Sequence, residues 1–292
     1  MEILLLLAVG YILTKRGMFT AKARGELINI VIYIILPCNI FASFRKGITH
    51  ETLIQCGVIL IIGFATQALY IALNRVLYNK FGAARKTVMQ YATICNNAGF
   101  MGLPIIAAVF GDMGLLYGSV VLIPIRVSMW TAGLSLFTKT DTKTKVKTLA
   151  THPCIWAVFL GFAYSLMPLE LPDFLLGTVD ALGTCTTAMT MLAVGSILSE
   201  VELRGVLDKS CFYFSALRLV AIPALIFGAL TACGVDPLVR GVVTLSAAMP
   251  AATTTAMLSQ KYGADAAYAA KLIFVSTALS VITLPILGML IQ

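Results

Sequence analysis

Two adjacent carboxamides stand inside an apolar stretch in the first half of the chain. From Cys95 to Pro104 the sequence reads CNNAGFMGLP, so Asn96 and Asn97 are followed by two glycines and a proline. Because proline lacks an N–H donor and glycine weakens a helix, we expect the helix to break here. In hydrocarbon, such backbone is tolerated only where it is buried in protein or lines a hydrated cavity. The free amide donors could then bind an anion.

A second break is predicted in the other half of the chain. Ala247 to Thr255 reads AAMPAATTT, with Pro250 near the middle of an apolar run and hydroxyls at Thr253 and Thr254. The helix that starts after each break would present unpaired N–H groups and a positive dipole end, which favour an anion. Interrupted helices at corresponding positions of two halves are typical of a transporter's binding site. The alternative is that these prolines and small residues serve helix packing alone.

Charged residues inside apolar segments offer further candidates. Arg126 lies about halfway along its segment, where it could attract a substrate carboxylate or brace freed carbonyls, and both roles stay open. Arg218 and Lys271 are expected to extend to the membrane surface. Asp180 either responds to protons or lines an outer vestibule, and we favour the vestibule. Since neither break contains a carboxylate, a cation exchanger is disfavoured.

The predicted substrate-binding residues lie in or beside the two breaks, together with the intramembrane arginine that could serve them. They are Asn96, Asn97, Gly99, Pro104, Arg126, Pro250, Thr253 and Thr254. No Gly-rich phosphate loop, paired-histidine motif or nucleophile with a nearby base is present. His50 and His152 form no ligand spacing. We therefore expect no enzyme activity, no cofactor and no metal site.

The elements that position these residues are apolar helices. Of the 292 residues, 59% are hydrophobic and 12% are charged, about half the charged share of a soluble domain. A soluble core cannot bury so many apolar side chains, so lipid must be the solvent. Windows of about 20 apolar residues each span a bilayer core. Ten such windows are predicted, at 2–14, 24–43, 52–74, 87–110, 114–137, 153–168, 172–198, 210–232, 238–260 and 266–290.

The basic residues between these windows predict their orientation. Odd-numbered loops carry 15 lysines and arginines, and even-numbered loops carry 3. Cytoplasmic loops are enriched in such residues, so both termini are expected outside and the 138–148 loop in the cytoplasm. We expect an integral protein of the inner membrane of a bacterium. The net charge of +8 is therefore explained by orientation, without a nucleic-acid partner.

The 138–148 loop also divides the windows into five on each side. An odd number in each half gives the halves opposite topology, which is the layout of inverted-repeat transporters. The predicted fold is an all-α membrane protein with ten transmembrane helices in two inverted five-helix repeats. The first repeat would cover 1–150 and the second 151–292.

Three motifs resemble the auxin efflux carrier family, which includes plant PIN exporters and bacterial permeases for malate and other organic acids. They are the Asn97-x-x-x-Met101-Gly102-x-Pro104 pattern, the spacing from Pro250 to Tyr262, and Leu284-Pro285. The resemblance covers nearly the whole chain. It implies that windows 4 and 9 are broken helices that cross at their breaks. It also implies that Asn97 is a carboxylate-binding amide, with Pro104 and Pro250 at the crossing.

The same resemblance implies that different parts of the chain form a mobile transport unit and a scaffold. A mobile transport unit would comprise approximately 52–137 and 210–290, and a scaffold approximately 2–43 and 153–198. The expected function is secondary transport of a small organic anion, a carboxylate, by elevator-like alternating access. The expected partners are that anion and the lipid bilayer, and a homodimer is left open.

Two other functions compete with this expectation. A sodium-coupled symporter of the bile-acid carrier type would use unwound carbonyls near Asn96 and Thr253 to bind the ion. A membrane sensor without transport would keep the fold only to bind its ligand. Dependence of uptake on sodium identifies the first, and binding without flux identifies the second.

Overall fold

The structure is a computed structural model. It describes residues 2–44, 49–137, 153–166, 171–199 and 208–291. The basic 138–148 loop that anchors the predicted orientation lies outside these ranges. In the described ranges all regular structure is helical, apart from a single β-bridge. The helices are α1 (Glu2–Lys15), α2 (Ala21–Phe44), α3 (His50–Leu73), α4 (Ala83–Ile94), α5 (Ala98–Gly133), α6 (Pro153–Leu166), α7 (Asp173–Ser199), α8 (Lys209–Ala232), α9 (Pro237–Ala247), α10 (Thr254–Lys261) and α11 (Ala266–Ile291).

Short polar side chains fix several helix starts. Thr20 accepts a hydrogen bond from the backbone of α2, and Asp208 does the same for α8. Asp236 accepts two such bonds at the start of α9, where Pro237 occupies the first helical position. These are the residue types that satisfy the orphan N–H groups of a first turn.

Three helices contain π-helical turns, which insert an extra residue into the helical repeat. The turns lie at Val31–Ile35 in α2, at Ala98–Gly102 and Met129–Gly133 in α5, and at Leu217–Ala221 in α8. Such turns are rare and often mark functional positions. Those in α5 and α8 lie close in sequence to Asn97, Arg126 and Arg218.

Five of the described helices are long and apolar enough to cross a membrane: α2, α3, α5, α8 and α11. Within α5, Gly111 has φ +65° and ψ −156°, so this helix comprises two helical segments joined at a non-helical glycine. Helical residues occupy all ten predicted windows. The all-helical membrane class is confirmed, and the ten-span inverted repeat stays a prediction.

The described residues form two compact units. The first comprises those within Met1–Gly57, Gly99–Val120 and Ala150–Val201. In it, α1 packs against α7 with Gly10 directly against the backbone of Leu192 and Gly195 against that of Leu7. A Cβ at either glycine would collide with backbone, so only glycine permits this approach.

The second unit comprises the described residues within Val58–Ala98, Val121–Leu149 and Glu202–Gln292. At one end of it, Arg85 at the start of α4 lies 3.2 Å from the Asp208 carboxylate and 3.7 Å from that of Asp265. The Arg85 guanidinium also lies over the Tyr268 ring, 4.9 Å from its centroid. One arginine thus ties together the starts of α4, α8 and α11.

Candidate substrate site

Two non-helical stretches of the second unit pair with each other. The first is Cys95–Asn97, after α4, and the second is Ala248–Thr253, between α9 and α10. Asn96 and Ala251 form an antiparallel bridge. The Asn97 N–H donates to the Pro250 carbonyl at 2.8 Å, and the Ala252 N–H donates to the Cys95 carbonyl at 3.4 Å. Backbone groups that the helices leave free are therefore satisfied across these paired segments.

Proline explains where the helices stop and restart. Pro250 cannot donate to a helical ladder, and the residue before a proline disfavours helical geometry. Consistently, α9 ends at Ala247, three residues before Pro250. Pro104 is the second residue of the regular α-helical part of α5, which begins at Leu103. Because Pro104 has no N–H, it cannot bond back to the π-helical turn Ala98–Gly102 that precedes it.

The Asn96 carboxamide is occupied by the protein itself. Its Nδ2 donates to the Ser246 carbonyl at 2.6 Å, and its Oδ1 accepts from the Ala98 N–H at 3.4 Å. The residue is only 6% exposed. Asn96 therefore connects the end of α9 to the start of α5 and has little capacity left for a ligand.

Asn97 differs from its neighbour in every respect that matters for binding. It is partly exposed. Its backbone N–H is used by Pro250, but its carboxamide forms no hydrogen bond with any described residue. Both amide hydrogens and the amide oxygen are therefore available to a ligand.

The two predicted threonines at the start of α10 also differ. Thr253 is exposed, occupies the N-cap position, and makes no side-chain capping bond. The Thr254 hydroxyl accepts from the Tyr91 hydroxyl at 3.4 Å and lies 3.4 Å from the Cys95 thiol. Of these two threonines, only Thr253 presents an exposed hydroxyl without a capping bond.

Arg126 makes no carbonyl contact among the described residues. Its Nη1 lies 3.5 Å from the Met129 sulfur, and its Nε is buried without a protein partner. The carbonyl contact in the paired segments comes from Arg218 instead, whose Nε donates to the Met249 oxygen at 3.2 Å. Of the two roles left open for Arg126, bracing the freed carbonyls is filled by a different arginine.

The prediction that Arg218 extends to the membrane surface is wrong. The residue is 0% exposed and is the largest fully buried side chain of the described chain. Its guanidinium carbon lies 4.7 Å from the centroid of the Tyr70 ring. The sequence did not predict this burial, because the pattern around an arginine inside a helix is the same whether its helix face points to lipid or to protein.

Two serines near the paired segments were also missed. The Ser276 hydroxyl in α11 accepts from the Ala251 N–H at 3.3 Å, and the Ser246 carbonyl in α9 accepts from Asn96. Serine is common in membrane helices for packing. Nothing in its sequence context marks these two.

A small cavity lies beside the buried end of this arrangement. Its polar lining comes from Thr66, Gln67, Tyr70, Asn96 and Ser246, and about 10 Å³ is available to the centre of a water-sized sphere. Gln67 Oε1 and Ser246 Oγ are buried without a protein partner among the described residues. That space fits about one water molecule and no larger solute.

Apolar side chains also pack against the paired segments. Cys95 and Ala252 belong to a buried cluster that includes aromatic rings of α4, α5 and the end of α10. Its other members are Tyr91, Met129, Leu134 and Leu258, with Trp130, Leu136, Phe137 and Tyr262 packed around them.

The structure therefore brings together five of the predicted residues within the second unit: Asn96, Asn97, Pro250, Thr253 and Thr254. Arg126 belongs to the same unit and interacts electrostatically with Cys95, without a hydrogen bond to the paired segments among the described residues. Gly99 and Pro104 are buried and group with the first unit.

Comparison with known proteins agrees with this architecture. The family profile described as "Membrane transport protein" matches residues 1–288. An uncharacterized transporter of Methanocaldococcus jannaschii is 25% identical, with 98% of this chain and 96% of that protein covered. An uncharacterized transporter of Methanothermobacter thermautotrophicus is 26% identical, with 98% and 95% covered. A Rhizobium meliloti protein named "Putative malonate transporter" is 24% identical, with 95% and 90% covered.

The chain belongs to this membrane transport protein family, the auxin efflux carriers. It is an integral membrane transporter, and the family and these relatives are transporters, not enzymes. The resemblance drawn from the Asn97 to Pro104 motif is confirmed at the level of the family.

Proposed function

We propose that this protein is a secondary transporter of a small organic anion and that Asn97 binds the carboxylate of its substrate. The observation that carries the proposal is the Asn97 carboxamide, which is partly exposed, free of described partners, and fixed beside two helix breaks. A carboxylate accepts hydrogen bonds, and an amide with free N–H groups in a protein-lined site donates them.

Electrostatics in the second unit support an anion over a cation. The acids among its described residues are Asp208, Asp236 and Asp265, and all three stand just before helix starts. Arg126 and Arg218 lie inside helices of the same unit. The start of α10 at Thr254 adds the positive end of a helix dipole next to Thr253. These charges and the helix dipole favour an anion over a cation at the paired segments.

One of the relatives supports a carboxylate as the class of substrate. The name of the Rhizobium meliloti protein specifies malonate, a short dicarboxylate. Malonate and malate are therefore the first ligands to test with this chain.

We also propose that the paired segments are the crossing of two broken helices in a ten-span inverted repeat, 1–150 and 151–292. Both termini would face outward, and the protein would reside in the inner membrane of a bacterium. In this arrangement the transport unit, approximately 52–137 and 210–290, moves relative to a scaffold of approximately 2–43 and 153–198. The clustering of the chain into two compact units supports such a division, except that Gly99–Val120 groups with the first unit.

Ligand binding to the purified protein tests the role of Asn97. Asn97→Ala is expected to weaken malonate binding by about 1.5–3 kcal/mol, the range for a hydrogen bond to a charged group, with an unchanged Tm. Asn97→Asp is expected to weaken it further because it sets a negative charge against an anion. Asn79→Ala is the matched control, since Asn79 is an exposed residue of the same unit with its own surface partners.

The two variants also separate binding from helix capping. If Asn97 only stabilises the break, Asn97→Ala lowers Tm while the affinity of the folded protein stays unchanged. Unchanged affinity in Asn97→Asp would remove Asn97 from the site.

Flux into sealed proteoliposomes tests transport itself. Wild-type protein is expected to take up labelled malonate or malate without added sodium. Uptake that requires sodium would indicate the bile-acid carrier type of symport. Binding without any uptake would indicate a sensor.

A further inference from the structure

Arg218 is a buried positive charge, and only one of its guanidinium nitrogens has a hydrogen-bond partner among the described residues. Of its donors, Nε binds the Met249 carbonyl, whereas Nη1 and Nη2 are buried and have no protein partner among the described residues. One face of the guanidinium is covered by the Tyr70 ring. Arginine cannot shed its proton in a protein, so the charge is permanent.

No described acid neutralises this charge. Among the described residues of the second unit, the ion pairs join Arg85 to Asp208 and Asp265, at the helix starts. The other charged side chain inside a helix near the paired segments is Arg126, which is also positive. A buried charge without a counterion is costly, and inside a membrane it marks a functional position.

The contacts of Arg218 fix it to the proposed substrate site. Its Nε holds the carbonyl of Met249, the next peptide begins Pro250, and the carbonyl of Pro250 accepts the backbone N–H of Asn97. In the same segment, the Ala251 N–H donates to the Ser276 hydroxyl. Two hydrogen bonds and one residue therefore connect the guanidinium to the backbone N–H of Asn97. At an effective dielectric constant of about 20, a unit charge about 10 Å from an anion changes the affinity for that anion about 10- to 20-fold.

We propose that Arg218 is the countercharge of the transported carboxylate and sets the preference of the site for anions over neutral analogues. The proposal rests on the proposed function of Asn97 as the carboxylate-binding residue. Arg218 does not touch the substrate. It holds the Met249 carbonyl, which fixes the segment paired with Asn97, and its field reaches the carboxylate through the protein interior.

A purely structural role for Arg218 makes a different prediction. If the residue only braces Met249, its loss affects charged and neutral ligands equally. If its charge acts on the substrate, only the charged ligand responds.

The test compares malonate with malonamide, its neutral diamide, as ligands of purified full-length protein. Arg218→Gln keeps an N–H donor for the Met249 carbonyl and removes the charge. We expect its affinity for malonate to fall at least about tenfold and its affinity for malonamide to stay the same. Arg240→Gln is the matched control, because Arg240 also stacks on a ring of this unit, that of Phe227, but lies in the first turn of α9. The control should change neither affinity.

Arg218→His provides a second variant in case the glutamine variant does not fold. At about pH 8 a buried histidine is neutral, since its ordinary pKa is about 6.5 and burial lowers it. The ratio of malonate to malonamide affinity should then be low, as in Arg218→Gln. A wild-type ratio in either neutral variant, or an equal loss for both ligands, would overturn the proposal.

The outcome stays separate from that of the proposed function. If wild-type protein binds neither malonate nor malate and transports neither, carboxylate transport itself fails. If wild-type protein binds malonate and Asn97→Ala weakens that binding, but Arg218→Gln leaves the affinity ratio unchanged, only the role of Arg218 fails.

Discussion

The two sides of the paired segments use similar polar residues for opposite purposes. On the buried side, Asn96, Arg218 and Ser276 donate to or accept from the backbone of the segments. On the open side, Asn97 and Thr253 retain side chains without such bonds. The backbone at Cys95 is extended, and successive side chains of extended backbone point to opposite faces. Two adjacent asparagines therefore supply one structural amide and one free amide.

The largest expected effect lies on the buried side. Asn96→Ala leaves the Ala98 N–H without its partner and removes the bond to the Ser246 carbonyl, which keeps a 3.4 Å bond from the Met249 N–H. A buried group left unsatisfied costs about 1–3 kcal/mol. We expect a clearly lower Tm in detergent, whereas Asn97→Ala keeps the wild-type Tm. A normal Tm for Asn96→Ala together with lost malonate affinity would reverse the roles of the two residues.

A smaller effect is expected on the open side. Thr253→Ala removes an exposed hydroxyl at the end of the paired segments, so malonate affinity should weaken by about 0.5–1.5 kcal/mol, the net value of a neutral hydrogen bond, without loss of Tm. Thr254→Ala is the control, because its hydroxyl is engaged by Tyr91 and Cys95. If the control lost affinity and Thr253→Ala did not, the hydroxyl that binds the substrate would be that of Thr254 and not that of Thr253.

The smallest expected effect is that of pH on stability. It arises away from the paired segments, because neither their buried side nor their open side contains an acid among the described residues. Hydrogen bonds from the Ser210 hydroxyl and N–H, with help from Arg85 and Lys271, hold the pKa of Asp208 below its ordinary value of 3.8. A lowered pKa in the folded state gives stability that is present above pH 3.8 and is lost as the pH falls through the folded pKa. Tm should therefore drop slightly in that acidic range, and less in Asp208→Asn. An identical acid profile for the variant would show that Asp208 contributes nothing.

Sequence periodicity and proline chemistry predicted the parts of the fold that depend on local rules. Helical residues occupy the apolar windows, and the non-helical stretches Cys95–Asn97 and Ala248–Thr253 lie at or beside residues that cannot continue a helix. The family motif singled out Asn97 as the amide for a carboxylate, and the free carboxamide found there supports that proposal.

The rest depends on which face of each helix is packed, which no local rule fixes. Arg126 and Arg218 both interrupt apolar segments, yet one is partly exposed beside a methionine and the other is fully buried on a carbonyl. Asn96 and Asn97 are the same residue type at neighbouring positions. Only tertiary pairing with α9 distinguishes them.

In the proposed elevator-like cycle, the burial of Arg218 has an electrical consequence. A fixed charge that moves with its unit through the membrane potential does work of about 2.3 kcal/mol for each 100 mV it crosses. A singly charged anion bound in the same unit cancels one of the positive charges of that unit, so the loaded and the empty movements differ by one elementary charge in their voltage dependence. A doubly charged anion doubles that difference.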